Sequence, residues 1–137
     1  MRILQLSLLF ILFISISCLN NKSNLNAKDS FDEAGFKSIN MVGTYEGNLP
    51  CVDCDGIVTL LSLNKDKTYE MNYTYAGKSN ETFNKKGNWY IDEGILTLEG
   101  EDYVYKIGNN SITQLDLSGK EISGQLAEQY ELKKIMD

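Results

Sequence analysis

From Met41 onward the chain is cut into runs too short for ordinary helices. The runs are rich in Tyr, Ile, Thr and Leu, and Gly, Asn, Asp and Lys punctuate them. That rhythm specifies strands joined by tight turns. It is clearest over residues 68–75, where Tyr69, Met71, Tyr73 and Tyr75 alternate with Thr68, Glu70, Asn72 and Thr74. A period of two places the first set on one face and the second on the other. The same reading predicts strands over 42–48, 57–63, 83–91, 95–99, 103–107, 112–117 and 126–134, with a short helix over 29–40 before them. Eight short antiparallel strands suit an all-β, up-and-down barrel, because closure removes the unpaired edges that invite aggregation. A barrel of that size is filled by its own side chains or holds one small ligand. Tyr45, Tyr69, Tyr73, Trp89, Tyr103, Tyr105 and Tyr130 are the candidates to line its interior.

The first residues read differently. Met1-Arg2 is a short positive start, and residues 3–16 are Leu, Ile and Phe broken only by Gln5, Ser7 and Ser15. The run falls short of the roughly 20 apolar residues of a membrane span and suits a secretory signal. Ile14-Ser15-Ile16-Ser17-Cys18 then resembles a bacterial lipoprotein box, which makes Cys18 the expected lipidation site. Two or more acyl chains give a stable anchor, because each buried methylene contributes about 0.8 kcal/mol. Residues 19–27 are polar and read as a tether. The expected organisation is a signal peptide over 1–17, a lipidated cysteine and tether over 18–40, and one barrel domain over 41–137. Leu19 follows the cysteine where many inner-membrane lipoproteins have Asp, so the expected place is the outer membrane, facing the periplasm.

Composition excludes several functions. The net charge is −6 and no basic cluster tracks along the chain, so the footprint of a nucleic-acid binder is missing. There is no histidine, which removes the commonest general base and the commonest metal ligand. The acidic pairs Asp92-Glu93 and Glu101-Asp102 fall in predicted turns, where solvated carboxylates are ordinary. The chain is not expected to be an enzyme.

Chemistry concentrates in Leu49-Pro50-Cys51-Val52-Asp53-Cys54-Asp55-Gly56. This segment joins the first two predicted strands, so Cys51 and Cys54 belong on a mouth loop. Three uses of the pair can be weighed. A catalytic thiol needs a helix N-terminus to lower its pKa, but a strand begins after Gly56 and the flanking aspartates act in the opposite sense. A disulfide suits an exported protein and would gain about 2 kcal/mol by closing so short a loop. Two thiolates could instead hold a soft cation such as Cu(I), with Asp53, Asp55, Met41 or Met71 as additional ligands. Disulfide and metal site stay equally open, and one pair can serve as both, since oxidation abolishes metal binding.

The segment Gly43-Thr44-Tyr45-Glu46-Gly47-Asn48-Leu49-Pro50-Cys51-Val52-Asp53-Cys54-Asp55-Gly56-Ile57 resembles the signature of the copper resistance lipoprotein NlpE, N-terminal domain family. Thr59-Leu60-Leu61-Ser62-Leu63, Thr68-Tyr69, Gly87-Asn88-Trp89 and the closing residues 126–132 continue the resemblance. It implies a lipocalin-like barrel on an outer-membrane lipoprotein, with roles in copper resistance and envelope stress signalling. It also implies a metal-binding role for Cys51 and Cys54, and contact with an envelope-stress sensor protein. Longer members carry a second, OB-like domain, to which the resemblance does not extend. The alternative is a lipocalin-like carrier of a small apolar ligand, with a structural disulfide at the barrel mouth.

Overall fold

A computed structural model describes residues 40–135. The expected leader, Cys18, the tether and the helix over 29–40 lie outside the described residues, except for Asn40. The strands are β1 (Gly43–Leu49), β2 (Gly56–Leu63), β3 (Thr68–Ala76), β4 (Thr82–Asp92), β5 (Ile95–Leu98), β6 (Val104–Ile107), β7 (Ser111–Gln114) and β8 (Glu131–Lys134). Each pairs antiparallel with the next, and β8 returns to β1 to close the barrel. The all-β, eight-stranded, up-and-down architecture is therefore what the sequence predicts.

Alternation decides the inside. On β2, Thr59, Leu61 and Leu63 are buried while Val58 and Leu60 are exposed. Leu96 and Leu98 of β5, Ile112 of β7 and Leu132 of β8 are closed to solvent and complete the core with Tyr45, Tyr69, Trp89 and Tyr105. Three of the four buried aromatics bond their polar tip to a backbone carbonyl. The Tyr45 hydroxyl donates to the Met41 carbonyl at 2.9 Å, and the Trp89 indole donates to the Asn64 carbonyl at 3.2 Å. Trp89 lies beneath the β2–β3 turn with Lys67 Nζ 3.9 Å from its ring centre. This end of the barrel is plugged.

Two predicted strands prove shorter, for local reasons. β7 was expected to continue to Leu117 but ends at Gln114. Asp116 Oδ1 accepts the backbone N–H groups of Ser118 and Lys120 at 2.8 and 2.9 Å, so the chain turns there. β8 was expected from Leu126 but begins at Glu131. Residues 127–130 instead form a single 3-10 turn, in which the Ala127 and Gln129 N–H groups bond to Gly124 and Leu126 carbonyls. Those donors are consumed locally and cannot extend the β7–β8 ladder. Tyr103 likewise falls just before β6 and is 40% exposed.

Closure depends on a glycine. The seam pairs Tyr45 with Lys134 and Glu46 with Lys133. A Cβ on Gly47 would lie 2.7 Å from both the Glu131 carbonyl oxygen and the Leu132 side chain. Gly47→Ala is expected to cost about 1–3 kcal/mol by forcing the seam apart, measured by urea denaturation. Burial also pushes the Tyr45 phenol up to about 12 from an ordinary value of 10.0. Its stabilising contribution is full below pH 10 and is lost as pH rises towards 12, because the unfolded chain ionises first. One such group contributes about 1.4 kcal/mol per pH unit in that window. Stability measured across the window is expected to fall less steeply in Tyr45→Phe.

Candidate functional site

Strand direction gathers four connections at the end opposite the β2–β3 turn: residues 50–55, 77–81, 99–103 and 115–130. The first holds the cysteines. β1 delivers Leu49 to the rim, and Pro50 sets extended geometry for the residue before it. The chain then folds back through Gly56, whose φ of +150° and close contact with the Asn48 side chain leave no place for a Cβ. Cys51 and Cys54 face each other across this bend and form a disulfide. No helix follows Cys54, since β2 starts at Gly56, so the dipole that activates a catalytic thiol is missing.

The loop is fastened to its neighbour. The Asp55 N–H donates to the Ala76 carbonyl at 2.9 Å. The Asp55 carboxylate lies where a Cβ on Gly77 would stand, and Gly77 adopts a φ of +75° that favours glycine in any case. Lys78 forms an ion pair and hydrogen bond with Asp53. That hydrogen bond, with the Lys78 charge, holds the Asp53 carboxyl below the usual aspartate range. Cys51 Sγ lies 3.7 Å from Asp53 Oδ1, and Cys54 Sγ lies 3.3 Å from the Gly56 carbonyl oxygen. Val52 at the tip is fully exposed, while both cysteines are half-buried.

One candidate extra ligand joins the sulfurs. Cys51, Cys54 and Asp53 offer donor atoms within 4.8 Å of one another. Asp55 is absent from that cluster, its carboxylate being against Gly77. Met41 precedes β1 at the plugged end, buried with its sulfur 3.7 Å from the Tyr45 hydroxyl. Met71 faces the core from the middle of β3, paired with Leu61. Strand alternation turns Met71 inward, and Met41 packs into the core before β1 begins, so both belong to the core.

The seven aromatic candidates also separate. Tyr45, Tyr69, Trp89 and Tyr105 are core residues, 1–3% exposed. Tyr73 is half-buried near the rim, stacked on Phe83 at 5.4 Å and edge-on to Tyr75 at 5.8 Å. Tyr103 and Tyr130 line an outward-opening cleft with Gln114. Lys78, Gly77, Phe83 and Gln114 were not singled out from the sequence. Nothing local marks a lysine whose partner lies 25 residues away. The turn containing Glu101 is not simply solvated. Its carboxylate is mostly buried and pairs with Lys85 at 2.6 Å.

With this geometry in place, comparison with known proteins becomes informative. The family model described as the NlpE N-terminal domain matches residues 45–125, which includes the whole disulfide loop. The chain belongs to the NlpE N-terminal domain family. It is 34% identical over 119 residues to Lipoprotein NlpE of Escherichia coli (strain K12), covering 83% of this chain and 49% of that protein. The chain thus spans about half the length of this curated relative. A lipoprotein from Shewanella oneidensis, solved as a crystal structure, superposes with a TM-score of 0.63 at 40% identity, covering 68% of this chain and 87% of the other. The Cpx pathway activator NlpE from Escherichia coli superposes with a TM-score of 0.56 at 37% identity, covering 62% of this chain and 46% of the other.

The Asp53–Lys78 pair supplies a test of how the loop is held. Asp53 contributes stability above the ordinary aspartate range and loses it as pH falls through its lowered value. Lys78→Ala is expected to raise the Asp53 pKa, read by NMR titration of its carboxyl carbon. An unchanged titration would mean that the pair does not form in solution.

Proposed function

We propose that this chain is a lipid-anchored envelope protein that takes part in copper resistance and envelope stress signalling through Cys51 and Cys54. The supporting observation is the rim cluster: two sulfurs and the Asp53 carboxylate within 4.8 Å, on an exposed loop of an NlpE-family barrel. Cys18 carries the acyl chains, and the barrel faces the periplasm from the outer membrane.

The donor set decides what such a cluster can hold. As a disulfide, the two sulfurs are bonded to each other and offer no thiolate. In the dithiol form they offer two soft donors, enough for Cu(I) at low coordination number. Zinc is a poorer fit, because it normally takes four ligands or three and a water; among the described residues the cluster has only Asp53 besides the sulfurs. Bound Cu(I) would supply a cation that two thiolates leave with net negative charge. Lys78 is already balanced by Asp53, so the bound site stays net negative. Oxidation of the pair and copper binding exclude each other, so the loop has two chemical states at a surface a sensor protein can contact. The reading is non-enzymatic.

The carrier reading draws less support. The aromatic side chains that would line a ligand cavity, Tyr45, Tyr69, Trp89 and Tyr105, are packed into the core with the leucines.

Titration of the reduced protein with Cu(I) against a chromophoric competitor tests the proposal. One copper per chain, displaced from the competitor by the native protein and not by Cys51→Ser, Cys54→Ser, is the expected result. Equal affinity of the two proteins would remove the copper role from this loop.

A further inference from the structure

The two ends of the barrel differ in charge. The four connections at the rim, residues 50–55, 77–81, 99–103 and 115–130, hold nine acidic residues and two lysines, Lys78 and Lys120. The three tight turns at the other end balance Lys65 and Lys67 against Asp66 and Glu93. Three rim carboxylates, Asp53, Glu101 and Glu121, are taken by ion pairs with Lys78, Lys85 and Lys106. The other six form none among the described residues.

Charge alone specifies no site, but here it surrounds a cleft. The cleft opens outward under the connection between β7 and β8 and measures about 550 Å³, within the range of ligand sites. Tyr103 and Tyr130 give it aromatic surface, and Leu117 and Ile122 give it apolar surface. Leu117 is 73% exposed, so the fold leaves that side chain in water. Asp116 is the one charged residue in the lining.

Asp116 is held in place. Its Oδ1 accepts the Ser118 and Lys120 backbone N–H groups at 2.8 and 2.9 Å and the Ser118 hydroxyl at 2.7 Å. These bonds, that of the Lys120 N–H foremost, keep its carboxyl below the usual aspartate range. Oδ2 has no hydrogen-bond partner among the described residues. The Lys120 ammonium is outside the lining and forms no ion pair among the described residues. A fixed anionic group therefore stands in an aromatic and apolar cleft, with one oxygen to spare.

That set selects an organic cation. An anion meets no positive side chain in the lining. A hard metal ion takes about six oxygen ligands, and among the described residues the one cluster of three metal-binding side chains is the cysteine loop. A second copy of this rim would set like charge against like. An arginine satisfies every part of the cleft. Its planar guanidinium stacks on aromatic faces and pairs with a carboxylate through a rigid fork, and its stem packs along apolar surface. Asp102 and Glu128, both exposed and close in the chain to Tyr103 and Tyr130, favour further basic residues beside it.

We propose that this end of the barrel is the docking surface for a basic segment of a partner protein, with an arginine seated against Tyr103 and Tyr130 and paired with Asp116. No residue of the cysteine loop lines the cleft, so docking is independent of the redox state of Cys51 and Cys54.

The test uses the whole lipidated chain, ¹⁵N-labelled, in a nonionic detergent micelle. Salt at about 0.15 M screens diffuse attraction beyond roughly 8 Å. The probes are the capped peptide Gly-Arg-Leu-Arg-Gly and an analogue with citrulline, the uncharged isostere, in place of arginine. The arginine peptide is expected to shift the Tyr103, Leu117 and Tyr130 amide signals saturably, with affinity about tenfold above the analogue. Asp116→Asn keeps an oxygen for the turn N–H groups and removes the charge. It is expected to weaken the arginine peptide about fivefold and leave the analogue unchanged. Tyr103→Leu keeps apolar surface without the ring and is expected to cost about threefold, whereas Tyr103→Phe is expected to cost nothing. Cys51→Ser, Cys54→Ser is expected to bind the peptide as the native chain does, so failure of the copper reading leaves this one standing. Equal affinity for the two peptides would overturn the proposal by making the cleft an apolar site. So would no shift up to about 10 mM peptide, where even millimolar affinity registers, or shifts that Asp116→Asn and Tyr103→Leu leave unchanged. Equally tight binding of spermidine would replace the partner protein with a free polyamine, and signals that move with protein concentration alone would replace it with a second copy; either result contradicts the proposal.

Discussion

The seam between β1 and β8 is the contact on which the rest of the molecule depends. It is short: Tyr45 opposite Lys134, Glu46 opposite Lys133, and the Ile135 N–H on the Thr44 carbonyl at 2.8 Å. Gly47 lets Leu132 and the Glu131 carbonyl press against the β1 backbone. Lys134 reinforces the join, donating to the Asn40 carbonyl at 2.7 Å and lying 5.8 Å from the Tyr45 ring centre. With the seam closed, no strand edge among the eight is left open. The same closure brings connections far apart in sequence to one rim, which carries the cysteine loop.

The rim is not a uniform surface. On one side the disulfide loop is tied to residues 77–81 by Asp53, Asp55, Gly77 and Lys78. On the other, Tyr103, Gln114 and Tyr130 border a cleft with no cation of its own. Between them Lys85 is committed to Glu101 and lies 5.9 Å from the Tyr73 ring centre. Two of the lysines near the mouth are thus neutralised by specific carboxylates. What remains for a ligand is soft sulfur chemistry at the cysteine loop. The plugged end, with Trp89, Tyr45 and Met41 packed and bonded, supplies rigidity rather than chemistry.

The sequence made the barrel legible because a period of two survives in nearly every strand, and Asn, Asp and Gly mark the turns. It failed where side chains, rather than hydrophobic pattern, set the backbone. Asp116 ends β7 by capturing two N–H groups, and the 3-10 turn at 127–130 delays β8, although Tyr130 and Leu132 have the spacing of a strand. The cysteine loop could be placed from its neighbours, Pro50 and Gly56. Its partners could not, because Lys78 and Gly77 reach it only through the β2–β3 pairing. Met41 and Met71 show the converse: both are chemically plausible ligands, and the fold buries both in the core.

The central claim is that a lipid-anchored barrel presents one cysteine pair whose two states are disulfide and copper-bound dithiol. Native mass spectrometry of the intact protein, extracted from cells grown with and without added copper, addresses it most directly. The account requires a chain that begins at an acylated Cys18, with copper carried only by the fraction whose cysteines are reduced and none on the disulfide form, which is two hydrogens lighter than the free dithiol. An unacylated chain, or a disulfide that persists while copper is bound elsewhere, would contradict it.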